Sequence, residues 1–393
     1  MKDRVISFVD SKRDEIIELS HNIHKNPEVA FTEHKSSKFI VELLEKNGYK
    51  TEYPYAGLDT AFRATKKGKE GGPKIAFLAE YDALPEIGHA CGHNVIAACS
   101  TGAFLAVADI IGEYAGEISI IGTPAEESGG GKVIILENGG FDDIEYGLMM
   151  HPSSGERGLV NRGGRAATSV TVEFFGKSVH SSRPEFGINA LSAMIKTFNN
   201  IDMMRPMFHP KDNVNGIIVK GGSAANAIPD YTKAVFSLRA DRLIELEKLV
   251  ENVKKCAENA AAMVGARCEV KVGDLYAERY PNLPMCLAFK ENCEKLGMPM
   301  DVAQPGGMYG SSDIGNVSIK LPCIHDYIPL CPDGVASHNT EYTEYTDKER
   351  ADEVCILGAK ALAMTAVDIL ESEDFRKEIY ESFEKQIPEE YKK

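Results

Sequence analysis

A chain of 393 residues with 43% apolar content exceeds the size at which one hydrophobic core usually stops growing, so two domains are expected. Its formal charge of -15, with no basic cluster anywhere, excludes a nucleic-acid partner, whose phosphates need a basic face. The opening MKDRVISFVDSKRDEI mixes charges into every turn, so neither a secretory leader nor a membrane span is expected, and the expected location is cytoplasmic. The nine cysteines are odd in number and lack CxxC spacing, which reads as reduced thiols.

Residues 1–49 read as two helices around a turn at Asn26-Pro27, with Ile6, Val9, Ile16, Ile17 and Leu19, then Phe39, Ile40, Leu43 and Leu44, at helical spacing. Apolar runs at 74–79, 118–122 and 146–150 alternate with a helix-length stretch at 95–111. Such alternation predicts an open, mostly parallel α/β sheet flanked by helices. After Gly163-Gly164 the texture changes: strands at 169–175, 216–220, 234–240 and 267–272 and helices at 189–201 and 243–264 make a smaller α+β insert over 166–278. The first domain, 1–165, then resumes over 279–393 with a helix at 283–296, a strand at 319–324, a long helix at 347–370 and a charged, solvated final helix from Glu371 to Lys393.

Ligands of open α/β sheets collect at the carboxyl ends of the strands, and several apolar runs end in metal-binding or proton-moving residues. The first leads into Glu80-Tyr81-Asp82 and then a loop with His89, Cys91 and His93; the second into Glu126-Glu127; the third into His151-Pro152; a late loop carries His338. Thiolate and imidazole together suit a zinc-like ion. Five protein ligands are more than one tetrahedral ion needs, so two ions sharing a carboxylate bridge and a water fit better. Glu126 is then the candidate general base, and Asp82 orients a histidine or modulates the metals from behind.

In chain order the segments HNIHKNPEVAFTEH, EYDALP, GHACGHN, TPAEESGGGK, MMHP, SVHSSRP, GGSAANAIPD, GSSDIGNVS and ASHNTEYT resemble, nearly end to end, a metallopeptidase and aminoacylase family. That family includes glutamate-releasing carboxypeptidases, bacterial aminobenzoyl-glutamate hydrolases and plant auxin-conjugate hydrolases. The resemblance implies that Cys91, His93, Glu127, His151 and His338 hold two divalent ions, with Glu126 as base and His89 only a neighbour. Zinc is favoured by the cysteine, with manganese, cobalt and nickel as other occupants. It further implies that the insert is a lid that forms a homodimer. There His180 reaches an oxyanion, and Asn226 and Arg239 hold the polar or carboxylate end of the substrate. Gly310 and Ser311 are candidate substrate contacts. Glu80 and Asn94 lean toward the aminobenzoyl-glutamate hydrolase and dipeptidase branch, while His21, His24, Glu28 and Glu33 read as fold-stabilising.

The expected reaction is hydrolysis of the amide bond of an N-acyl amino acid, an aminobenzoyl-glutamate-like conjugate or a dipeptide. Alternatives are deacetylation of a biosynthetic intermediate, a catalytically silent metal-binding or interaction protein on the same fold, and a Cys91 nucleophile with His93 as its base. Glu126 beside Glu127 speaks against the silent protein, since a structural metal site has no use for a second carboxylate.

Overall fold

The computed structural model describes residues 1–304 and 309–392, which divide into two compact units. The first joins Met1–Gly164 to Arg279–Lys393; the second is Arg165–Glu278.

The first unit begins with α1 (Lys2–Ser11), α2 (Arg13–His24) and α3 (His34–Lys46). Three helices thus stand where two are expected, because the chain breaks at Lys12 as well as near Pro27. Strands β1 (Thr51–Glu52), β2 (Phe62–Lys67) and β3 (Lys69–Ala79) follow, then α4 (His93–Ile110), β4 (Ala115–Gly122), α5 (Gly131–Glu137), β5 (Tyr146–Ser154) and β6 (Gly158–Val160). The second unit contributes β7 (Ala166–Phe175), α6 (Ala190–Met204), β8 (Asn213–Lys220), β9 (Tyr231–Ala240), α7 (Leu243–Val264) and β10 (Arg267–Val272). The first unit then closes with α8 (Leu283–Lys295), β11 (Met300–Val302), α9 (Ile314–Lys320), β12 (Cys323–Cys331), α10 (Thr340–Tyr345), α11 (Glu349–Glu371) and α12 (Glu373–Gln386).

The strand expected over 319–324 is corrected by this order: Ile319 and Lys320 end a helix, and the strand begins only at Cys323. An apolar run alone does not distinguish a buried helix end from a buried strand. Lys393, the last residue of the predicted tail helix, lies outside the described residues.

The eight strands of the first unit run β1-β2-β4-β3-β5-β12-β6-β11. Four consecutive ones, β4, β3, β5 and β12, are mutually parallel; among the described residues the antiparallel pairs lie toward the edges, at β1-β2, β2-β4 and β12-β6. Parallel strands need cover on both faces, which explains their unbroken apolar sequences. α4 supplies much of that cover, packing on β3, β4 and β5 and against α11, α2 and α1. Among its residues only Asp109 escapes burial, so its length and apolarity, sufficient to cross a bilayer, belong to a core helix.

The second unit is a four-stranded antiparallel sheet, β10-β7-β9-β8, under two helices. Val170, Val172 and Phe174 alternate with Ala234, Phe236 and Leu238 on its covered face, as a period of two requires. Asn189 caps α6 by accepting from Leu191 N and Ser192 N. β8 is an edge strand, and it exposes Ile217, Ile218 and Val219.

Candidate metal centre and active site

Because β4, β3, β5 and β12 are parallel neighbours, the segments leaving their carboxyl ends share one edge of the sheet, although they lie far apart in sequence. β3 delivers Glu80 and Asp82, both buried; β4 delivers Glu126 and Glu127; the segment after β12 delivers His338. His151 departs from the expected strand-end position: β5 continues to Ser154, with His151 opposite Tyr327 of β12. The proline at 152 does not end this strand.

Gly92 sets the geometry of the cysteine-histidine pair. It sits at φ +75, and a Cβ there would lie 2.5 Å from Pro152 Cγ, so only glycine fits without strain. The left-handed residue ends the loop and starts α4 at His93.

All five expected ligands come together. Cys91, His93 and His151 each offer a ligand atom, and these lie within 4.8 Å of one another; the same holds for Cys91, Glu127 and His338, and for His93, Glu126 and Glu127. Cys91, His93 and Glu127 each belong to two of these three groups, so the carboxylate of Glu127 is among the side chains placed to be shared, as ligand counting expects of a carboxylate bridge.

The surrounding hydrogen bonds leave the right atoms free. His93 Nδ1 lies 3.0 Å from Asp82 Oδ1 and 2.9 Å from Asp82 O; its Nε2 is buried, makes no hydrogen bond among the described residues, and has Glu80 Oε2 3.4 Å away. Asp82 Oδ2 also accepts from Glu127 N at 3.0 Å, and Glu127 Oε1 is likewise buried without a partner. One carboxylate therefore orients two candidate ligands, an arrangement typical behind metal-binding histidines. His151 Nδ1 donates to Pro152 O at 2.6 Å, leaving Nε2 as its free nitrogen. His338 is exposed, with φ 65, a backbone N–H donated to Ala90 O, and Nε2 3.4 Å from Glu127 Oε2. Non-glycine residues rarely adopt that backbone conformation, and such strain concentrates at functional sites. Orphaned buried nitrogen and oxygen atoms beside a thiol are the donor set that a borderline-soft cation satisfies.

Electrostatics separate the roles. Burial, then repulsion from Glu80, Glu127 and Asp313, pushes the Glu126 carboxyl well above the usual range. Burial alone would lower the His93 imidazole, but Asp82 overrides it and raises the group. Burial and the neighbouring His93 hold His151 well below its ordinary value, and burial carries the Cys91 thiol up. His89 is buried, with Nε2 on Ile23 O, and joins none of the ligand groups found among the described residues.

Sequence reasoning assigned no role to two further clusters here. Lys132, wholly buried, donates to Glu80 Oε1 at 2.5 Å and Asp313 Oδ1 at 2.7 Å. Lysine is so rarely buried that nothing in the linear pattern flagged it. Beside His151, whose ring centroid lies 5.1 Å from that of His325 and 5.4 Å from that of Tyr327, the side chains of Arg162 and Arg279 approach. Alternation along β12 puts His325 and Tyr327 on one face, the only signal available in sequence. His325, Tyr327, Arg162 and Arg279 line a cleft of about 360 Å³ within the first unit together with Gly310, Ser311, Ser312 and four of the candidate ligands, Cys91, Glu127, His151 and His338.

The amino-terminal residues support the same edge from outside. Glu33 accepts from Phe31 N, Thr60 Oγ1 and Ala125 N, tying the strained turn before Glu126 to the helical layer. Glu28 accepts from Lys35 N and Ser36 N at the start of α3, His21 meets Asp352, and His24 meets Thr346.

The remaining candidates belong to the second unit. His180 and Asn226 occupy adjoining loops, with Ser181 N donating to Asn226 O, and Arg239 lies on β9 opposite Ala167 and Asn213; all three are exposed.

Residues 162–263 match the model of the peptidase dimerisation domain. Over 386 residues the chain is 35% identical to the Xaa-Arg dipeptidase of Mus musculus, covering 94% of this chain and 89% of the relative. A p-aminobenzoyl-glutamate hydrolase chain of Escherichia coli is 24% identical, with 92% and 90% covered. Among solved structures, a dinuclear metal binding peptidase of the M20 family from Bacillus subtilis superposes with a TM-score of 0.68 at 22% identity, covering 92% of this chain and 99% of that one. The aminobenzoyl-glutamate utilization protein of Klebsiella pneumoniae reaches a TM-score of 0.75 at 19% identity, covering 92% and 97%.

Proposed function

The chain belongs to the M20 family of metal-dependent peptidases and amidohydrolases, and from that premise we propose that it cleaves the amide bond of a dipeptide or N-acyl amino acid with Glu126 as general base. The observation that carries the proposal is the meeting of Cys91, His93, Glu127, His151 and His338, two of them with buried ligand atoms left unpartnered, beside a carboxyl held well above its usual range. These five side chains would hold two divalent ions, for which a thiol-imidazole-carboxylate set suits zinc. When bound, the ions supply Lewis acidity that polarises the scissile carbonyl and acidifies the attacking water.

The protein's own groups do the rest. Glu126, its basicity raised by burial and neighbouring carboxylates, takes the proton of the attacking water and delivers it to the leaving nitrogen. Asp82 keeps His93 and Glu127 in register. The names of the relatives, a dipeptidase and an aminobenzoyl-glutamate hydrolase, support small substrates that release a free amino acid. A homodimer formed through the second unit is part of the same reading, supported by the dimerisation-domain match and by the exposed apolar residues of the β8 edge.

The test is amine release from a panel of dipeptides, N-acetyl amino acids and aminobenzoyl-glutamate, by metal-reconstituted protein and by Glu126→Gln with metal content verified. Hydrolysis by the parent and a loss of at least about a hundredfold in the variant are expected. Equal rates would remove Glu126 from its role, and a fully metallated parent inert toward the whole panel would refute the reading.

A further inference from the structure

The cleft of the first unit has a second polar wall that the hydrolytic steps leave unused. Arg279 is 7% exposed, and its Nη1 donates to His325 Nδ1 and, at 2.8 Å, to Tyr327 OH, yet its Nε is buried with no partner among the described residues. Arg162 lies over the same Tyr327 ring, its Cζ 4.4 Å from the centroid, and over Tyr309 at 5.0 Å; its Nε is also buried and, among the described residues, unpartnered. Ser312 Oγ, on a side chain 6% exposed, is a further orphan in the cleft lining. Among the described residues neither arginine forms an ion pair. Asp326, whose carboxyl feels Arg279, instead accepts the Asn161 N–H.

Guanidinium nitrogens buried without an acceptor are costly, and an arginine fork placed over an aromatic ring matches a carboxylate. The lining is therefore divided, with carboxylates Glu126 and Glu127 on one side and guanidinium groups of Arg162 and Arg279 on the other, the rings of His151 and Tyr327 between them. A substrate whose amide lies against the acidic, metal-binding side presents its neighbouring group to the basic side.

We propose that Arg162 and Arg279 form a carboxylate-binding subsite in the catalytic unit, which selects substrates bearing an anionic carboxylate near the scissile amide and disfavours a cationic group at that position. The inference rests on the amidohydrolase reading for its substrate. The carboxylate comes either from the released amino acid or from an acidic acyl group, and the subsite chemistry is the same for both.

The experiment is titration calorimetry on the full-length, metal-reconstituted protein with glutarate and with its monoamide. Each offers one carboxylate to metal, and they differ only in whether the second group is charged. Wild type is expected to bind glutarate at least about tenfold tighter, since a charge-assisted hydrogen bond separates them. In Arg162→Gln and Arg279→Gln that preference should shrink to within about twofold. Equal affinities in wild type, or an undiminished preference in Arg162→Gln, would overturn the subsite; because Arg279 also braces His325 and Tyr327, Arg162→Gln carries the test if the other variant fails to fold. Hydrolysis then identifies the source. A KM increase in Arg162→Gln for N-acetyl-alanine but not for N-acetyl-alaninamide assigns the carboxylate of the released amino acid, whereas an increase for N-succinyl-alaninamide alone assigns the acyl side; no KM change with any of them refutes a substrate role. A wild type that hydrolyses none of these yet prefers glutarate would sink the amidohydrolase reading while leaving the subsite standing.

Discussion

Replacing Lys132 with methionine isolates the most heavily buried charge cluster of the centre. The ammonium has no exposed surface and bonds two carboxylates, Glu80 at 2.5 Å and Asp313 at 2.7 Å, while its backbone N–H bonds Asp313 Oδ2 at 2.9 Å. Methionine fills a similar volume, so the loss is electrostatic: two buried carboxylates, with Glu126 in the same group, keep their mutual repulsion without their cation. Breaking one partner out of a buried ionic cluster costs about 3–5 kcal/mol. At roughly 2 °C per kcal/mol for a unit of this size, the melting temperature should fall by about 6–10 °C at pH 8. The deficit must also depend on pH. Asp313 already has its carboxyl raised to about 6 by burial, against the lowering pull of Lys132. Without the lysine it rises further, and a group raised above its unfolded value favours the folded state at low pH and loses that contribution as pH climbs through the folded pKa. Differential scanning calorimetry at pH 5 and pH 8 should therefore show a smaller deficit at pH 5. A melting temperature within about 2 °C of the parent at pH 8 would refute the argument.

Asp82→Asn should weaken metal affinity roughly 10–100-fold, measured by chelator competition, because the amide no longer holds both His93 Nδ1 and Glu127 N; unchanged affinity would contradict the orienting role. Gly92→Ala should cost about 1–3 kcal/mol in chemical denaturation and weaken metal binding too, since its Cβ would lie 2.5 Å from Pro152 Cγ at a left-handed residue; a stable, fully metallated variant would show that the turn relaxes. Glu33 has its carboxyl raised to about 7 by burial, with Asp82 adding to it. Its stability contribution is complete below the unfolded pKa of about 4.5 and lost as pH rises through 7. Glu33→Gln should accordingly gain on the parent between pH 5 and 8 in denaturation midpoints; parallel pH curves for the two proteins would count against it.

Much of this centre was legible in order along the chain, because metal ligands and proton carriers have few residue types to choose from and parallel strands deliver them at apolar-run ends. Glu126 and Glu127 could be picked out in that way; among His89, Cys91 and His93 the family resemblance made the choice, and His338 lies in a late loop that no apolar run marks. His151 shows the limit: its strand runs on for three residues, since pairing with β12 outweighs the proline that follows it. The break at Lys12 and the helix ending at Lys320 were missed for a similar reason, as short apolar runs do not report which partner covers them.

Residue chemistry and periodicity by themselves determined an α/β architecture, a cluster of soft and borderline metal donors, and a carboxylate pair suited to proton transfer. Only the tertiary structure decided that Cys91, His93 and Glu127 each join two ligand groups, that Asp82 orients both His93 and Glu127, that Lys132 balances a wholly buried acidic pocket, and that two arginines face the same cleft. Those are relations between residues many positions apart, fixed by strand order and register rather than by local preference. A linear pattern carries the identity of each group but not the burial and neighbours that give it a role.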